Sequence, residues 1–311
     1  MSPPYTPLPA PILITVSHDQ PRRAALFILS SALLFALMGG FIKHLSQQLP
    51  VEMVVFFRNL FGLVVLLPWL LQRGFGQLRT HHLRLHLARS LFGLSAMYCF
   101  FYAIAHLHLA EAVLLNYTAP LYVPLTAWWW LREPTPHRLN GALLLGFSGI
   151  ALILKPGVGI FKAEAVVGVL AGLLTAGAFV SLRHMAQSEP PLRTVFYFGA
   201  IATLISGVPL VWSWQTPPAP LWLTLLLMGA VASGGQLLLT RAYSHAPAAW
   251  VGSFTYTIVP LSALVGWWGW GERPDALAML GAILVVGAAL IVLHQGLRNA
   301  PGRPSSPSPG E

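Results

Sequence analysis

In the stretch VVFFRNLFG, residues 54–62, a guanidinium sits among phenylalanines and aliphatic side chains. Burying such a charge unpaired costs roughly 2.5–3.5 kcal/mol on insertion scales, so it must pair, reach water or hold something. The planar fork of Arg58 suits a carboxylate, which makes it a candidate substrate ligand; the plainer reading is that it bonds carbonyls within a helix bundle. Glu111, in HLHLAEA, is the acidic candidate. A partly buried carboxylate can carry a proton or hold a cationic group, or it can simply complement a helix N-terminus. Asn116, Tyr117, Thr118 and Tyr122 follow, and positions 111, 118 and 122 recur at helical spacing. Trp250, Ser253, Tyr256 and Thr257 make a similar set, and Gln236 is a further donor in mid-run. Aromatic walls with a few directional polar groups suit a small-molecule site, although each residue taken singly fits an ordinary interhelical hydrogen bond equally well. Arg58 and Glu111 together with these aromatics fit a zwitterionic or amino-acid-derived metabolite. Pro120 and Pro260 lack the N–H that closes a helical turn and are candidate gating kinks.

The elements that must position these residues are membrane spans. The chain has 311 residues, 56% of them hydrophobic and only 9% charged. Soluble domains carry roughly a quarter charged residues, so this is expected to be an all-α integral membrane protein. Ten apolar runs of membrane-spanning length are found, at 24–43, 51–71, 88–107, 109–131, 138–155, 165–184, 192–212, 220–241, 247–269 and 276–294. Residues 1–20 and 298–311 are rich in proline and polar residues and are expected to be disordered cytoplasmic tails. The first run lacks a small-residue cleavage site and is long enough to span, so it is expected to be retained. Arg58 lies about 10 Å into the second run at 1.5 Å per residue.

The basic residues give an orientation. With the N-terminus cytoplasmic, the inner set is Arg22, Arg23, Arg73, Arg79, Arg84, Arg89, Arg132, Arg138, Arg183, Arg193, Arg241, Arg298 and Arg303, against Lys43, Lys155, Lys162 and Arg273 outside. Both termini are therefore expected inside, in a cytoplasmic (inner) membrane. The net charge of +9 is dispersed between apolar runs, which excludes a nucleic-acid stripe.

The two halves repeat each other. Residues 102–154 echo 241–293: Pro120 matches Pro260, Trp130 matches Trp270, Pro134 matches Pro274, Gly141 matches Gly281 and Glu133 matches Glu272. Upstream, VVFFR at 54–58 lies against VFYFG at 195–199, so the counterpart of Arg58 is Gly199. Five spans in each half is an odd number, so the copies sit in the membrane with opposite orientations. Ten transmembrane helices then form two inverted five-helix repeats, 21–155 and 164–297, with a site near the midplane that can open to either side. Gly39, Gly40, Gly172, Gly177 and the run Ala232, Ser233, Gly234, Gly235 fit close helix packing.

The segments APLYVPLTAWWWLREPTPHRLNGALLLGFSGIALILKPG and IVPLSALVGWWGWGERPDALAMLGAILVVGAALIVL, with FFRNLFG and RSLFGLSAMYCFFYAIAHLHLAEA before them, resemble the EamA branch of the drug/metabolite transporter superfamily. The resemblance covers about residues 20–297. It implies a ten-helix bundle with cytoplasmic termini. It also implies a cavity built largely from the third, fourth, eighth and ninth helices with the first and sixth, and alternating access. Members of that family export amino acids, their derivatives or other small metabolites, and some take up compounds such as S-adenosylmethionine. An exporter is the expectation, an amino-acid-built metallophore being one candidate substrate. The alternatives are an uptake permease of the same fold and a non-transporting membrane sensor or assembly protein.

Enzymatic readings find no support. The chain has no GxxxxGK[ST] loop and no HExxH, so catalytic residues and cofactors are expected to be none. Single Cys99 excludes a disulfide framework. His82 and His86 share a helical spacing in RTHHLRLHLAR, but no carboxylate or thiol stands near them in sequence and Arg79, Arg84 and Arg89 would repel a cation, so no metal site is expected. That basic segment is expected to meet anionic lipid. The expected partners are a small-molecule substrate and membrane lipids, with proton or other ion coupling and a monomer or homodimer left open.

Overall fold

A computed structural model describes residues 21–131, 140–154, 163–185, 188–245 and 256–298, whose regular secondary structure is all helical. In chain order the helices are α1 (Pro21–Ser46), α2 (Val51–Arg73), a 3-10 turn at Phe75–Leu78, α3 (Leu83–His106), α4 (Leu109–Asn116), α5 (Ala119–Leu131), α6 (Asn140–Leu154), α7 (Ala163–Met185), α8 (Pro191–Gly207), α9 (Leu210–Ser213), α10 (Ala219–His245), α11 (Ile258–Trp270) and α12 (Ala276–Arg298). Among the described residues five helices are long and apolar enough to cross a membrane unbroken: α1, α2, α3, α7 and α10. Large apolar side chains on the outside, such as Leu204, Val211 and Ile283, would be costly in water and belong against lipid. Trp212 and Trp268, both strongly exposed, lie near helix ends where amphipathic rings favour a membrane interface.

The fourth apolar run is two helices, not one. The chain breaks at Tyr117 and Thr118 between α4 and α5, and Tyr256 and Thr257 form the corresponding turn before α11. The prolines explain the breaks. Pro120 offers no N–H to the carbonyl of Asn116, four residues back, and Pro260 offers none to Tyr256. Each proline therefore sits in the first turn of the helix that follows a break, where its missing N–H costs nothing, instead of kinking a continuous helix as its sequence position suggests. The seventh run is likewise divided, with α8 ending at Gly207 and α9 starting at Leu210.

Helix pairing carries the repeat into three dimensions. The main contacts join α1 to α10 and α3 to α7, which exchange when the halves are swapped. The contacts α2 to α10 and α3 to α8 exchange in the same way, as do α1 to α11 and α7 to α4 and α5. The pairs α2 with α8 and α6 with α12 map onto themselves. The halves therefore interlock about one pseudo-twofold axis, and neither half forms a separate bundle.

Glycine sets the closest of these crossings. A Cβ on Gly149 of α6 would stand 2.7 Å from the carbonyl oxygen of Gly281 on α12, and one on Gly281 would meet the Gly149 carbonyl at the same distance. No larger residue fits at either position without separating the helices.

Candidate functional site

The two helix breaks meet each other. Tyr117 stands at the first break and Tyr256 at the second, one place off strict repeat register, in which Asn116 matches Tyr256 and Tyr117 matches Thr257; the Tyr256 hydroxyl donates to the Tyr117 carbonyl at 3.1 Å and the rings lie edge to face with centroids 6.3 Å apart. A carbonyl at a break in one half thus accepts from the tyrosine at the break of the other. Tyr117 is eight residues from the start of α4, about 12 Å along a helix, close to the middle of a roughly 30 Å hydrocarbon core.

Asn116, Thr118 and Tyr122 lie on either side of this break. Asn116 accepts a hydrogen bond from Thr175 of α7 at 2.9 Å. Thr118 is fully buried and donates to the Leu115 carbonyl, while a Cβ on Gly172 would stand 2.5 Å from its Oγ1, so α7 can approach only through glycine. Tyr122 packs on Phe147 with its hydroxyl buried, unbonded and close to Thr118. Thr257 precedes α11, and Gln236 lies partly buried on α10. Trp250 and Ser253 lie outside the described residues.

Arg58 and Glu111 are not brought together. Glu111 lies 3.6 Å from His108 in the first turn of α4. Asn59 next to Arg58 reaches Met97 of α3, and α8 packs on both α2 and α3, so Arg58 shares this three-helix seam with a second cation, Arg89 of α3. Its guanidinium rests 4.6 Å above the ring of Phe198 on α8. By sequence Arg89 belongs with the cytoplasmic loop cations, but α3 begins at Leu83 and carries it nearly two turns into the helix. The basic residues at its start lower the local hydropathy, which is why the apolar run read from sequence begins only at residue 88.

A different acid than expected is the buried one near Glu111. Glu272, just beyond α11, pairs with Lys43 of α1 and accepts the backbone N–H of Leu109 at 2.7 Å, while Lys43 also donates to the Leu107 carbonyl at 2.7 Å. Gly271 makes this possible. Its φ of +66° reverses the chain after α11, a conformation that favours glycine, and Gly266 leaves room for the carboxylate, since a Cβ there would stand 2.5 Å from Glu272 Oε2. Lys43 is therefore a buried ion-pair partner rather than a loop charge.

The opposite end of α3 holds a second cluster. Glu189, in the α7–α8 connection and 5% exposed, accepts from Thr80 at 2.5 Å and from Arg193 at 2.8 Å, and lies 3.6 Å from His86. His86 stacks on Tyr197, whose hydroxyl donates to the Leu78 carbonyl. A carboxylate does accompany His86, contrary to the sequence reading, because it arrives from 103 residues further along the chain. Burial by itself would raise the Glu189 carboxyl, but hydrogen bonds from Thr80 and Arg193 and the charges of Arg193 and His86 hold it below the usual carboxylate range.

Comparison with known proteins agrees with this architecture. The chain matches the EamA-like transporter family over residues 22–155 and 162–294. It is 36% identical over 276 residues to the pseudopaline exporter CntI of Pseudomonas aeruginosa, covering 88% of this chain and 96% of that protein. It is 29% identical over 255 residues to a riboflavin transporter of Brucella anthropi (79% and 89% covered) and 26% identical over 253 residues to an S-adenosylmethionine uptake transporter of Rickettsia bellii (81% and 87% covered). A solved crystal structure at 21% identity superposes with a TM-score of 0.58, covering 89% of this chain and 98% of that one, which shows the shared fold.

Proposed function

Because this chain belongs to the EamA-like transporter family, we propose that it exports a small amino-acid-derived metabolite across the cytoplasmic membrane by alternating access, an amino-acid-built metallophore being the leading candidate. The observation that carries the direction is its 36% identity to a pseudopaline exporter along nearly the full length of both chains. The interlocked halves, the broken helices meeting near mid-membrane and the half-buried cations of α2 and α3 support a central substrate path. Both termini face the cytoplasm in this reading, which places the Lys43–Glu272 pair at the outer end and the Glu189 cluster at the inner end.

Metabolite profiling of a deletion strain tests direction: a compound trapped in cells and missing from the medium supports export, and one depleted inside supports uptake instead. Counterflow of labelled against unlabelled solute in proteoliposomes separates a carrier from a sensor or assembly protein. Proton coupling through Glu111 is part of the same proposal, and a Glu111→Gln protein that keeps the full pH dependence of flux removes it.

A further inference from the structure

We propose that Arg58 and Arg89 form one anion-binding station, and that the transported compound carries at least two carboxylates. This rests on the reading of the chain as a small-molecule exporter and narrows its substrate.

The pair is unusual on physical grounds. A single guanidinium inside a membrane protein is already costly, and a like charge nearby raises that cost. Among the described residues no acidic side chain forms a salt bridge with either arginine. Arg58 Nη1 donates to the neighbouring Asn59 Oδ1 at 3.0 Å. Arg89 Nε and Nη1 are shut off from solvent and have no hydrogen-bond partner at all. Buried donors of this kind are normally satisfied, and a carboxylate would satisfy both through the fork geometry of the side chain.

Both groups are held in place. Asn59 is 1% exposed, donates to the Val55 carbonyl at 2.9 Å and reaches the sulfur of Met97 on α3, so it aims Arg58 from the α2–α3 seam. Arg89 is seated by Phe198 on one side and by the absence of a side chain at Gly93. A Cβ there would stand 2.2 Å from Arg89 Nη1 and 2.8 Å from Phe198 Cε2.

The repeat excludes a purely architectural need for these charges. Gly199 stands where the second half would place Arg58, and residues 228–230, around the counterpart of Arg89, are Met228, Gly229 and Ala230. The same fold is thus built in the second half without either cation. Phe198 is itself the counterpart of Phe57, so a ring common to both halves supports a charge present in one.

The test uses the purified full chain in phosphatidylcholine nanodiscs, titrated calorimetrically with glutarate and with valerate, which differ by one carboxylate. Glutarate should bind at least about 10-fold more tightly than valerate, and Arg58→Gln or Arg89→Gln should each weaken glutarate about 10-fold or more. Arg58→Lys and Arg89→Lys, which keep the charge and lose the fork, should fall between and serve if a glutamine variant does not fold. Absent glutarate binding, equal binding of the two acids, or glutarate binding unchanged in the double glutamine variant overturns the proposal. Replacing a third of the lipid with phosphatidylglycerol should leave glutarate affinity unchanged; a 10-fold loss would assign the guanidinium groups to lipid phosphate and also overturn it. Failure of the export reading looks different. A deletion strain depleted of the compound removes export and leaves glutarate selectivity intact, whereas lost selectivity with a trapped compound removes only the anion station.

Discussion

The two ends of the bundle each close over a buried carboxylate, and they do so with different chemistry. At one end Glu272 from the second half meets Lys43 and the Leu107–Leu109 backbone of the first; at the other, Glu189 and Arg193 from the second half meet Thr80 and His86 of the first. Both clusters cross the boundary between repeats, so opening either end means separating the halves there. The Lys43 end is a compact ion pair with one backbone donor and one backbone acceptor, whereas the Glu189 end is a looser network including a histidine and a partly exposed arginine. Two halves with the same frame therefore present two locks of unequal strength, and a transporter that alternates must release them one at a time.

Glu272→Gln should show the largest effect, because it leaves the Lys43 ammonium buried without its counterion, at a cost of about 3–5 kcal/mol. The thermal midpoint in detergent should fall by many degrees, and Lys43→Met with Glu272→Leu should recover most of the loss. A single variant melting with the parent would remove the pair as a lock.

Glu189→Gln should cost less, about 1–3 kcal/mol, since Arg193 can turn to water once its partner is neutral. The pH response sharpens the contrast. The folded state holds Glu189 below the usual carboxylate range, so its contribution is fully present above the unfolded value near 4.3 and is lost as pH falls through the folded value. Thermal midpoints followed from pH 6 down to about 3 should decline more in the parent than in Glu189→Gln, and parallel curves would remove Glu189 from the account.

Tyr256→Phe should cost only ~0.6 kcal/mol in stability, the average for a hydrogen bond between membrane helices. Counterflow rates should change while the melting curve hardly moves, because the contact joins the two halves at their helix breaks. Pro120→Ala should be the mildest of all: its change in stability should stay far below the ~3 kcal/mol of a proline in a helix interior, as measured by the same melting assay.

Membrane spans, repeat and family were legible in the sequence because each rests on a property repeated along the chain. Ten apolar runs and matched prolines, tryptophans and glutamates need no knowledge of which helices touch. Arg58 was legible as a lone charge among apolar residues, and Tyr117, Tyr256 and Asn116 as polar residues in mid-run. Arg89, Glu272 and Glu189 were not, because in sequence each resembles a loop or helix-end charge. Glu272 becomes a lock only through Lys43, more than two hundred residues away, and Glu189 becomes a partner of His86 only through the fold.

The sequence by itself determined that this chain crosses the membrane repeatedly as two opposed copies of one unit, since hydropathy and an odd number of spans per copy leave no other arrangement. Tertiary structure alone decided which charges are paired and which are left open. The energy of a buried charge depends on what lies within a few ångströms of it, and that neighbourhood is assembled from helices distant in the chain. Arg58 was visible as a charge; the second guanidinium on the same seam, and the lack of an acidic partner for either among the described residues, emerged only when α2, α3 and α8 came together.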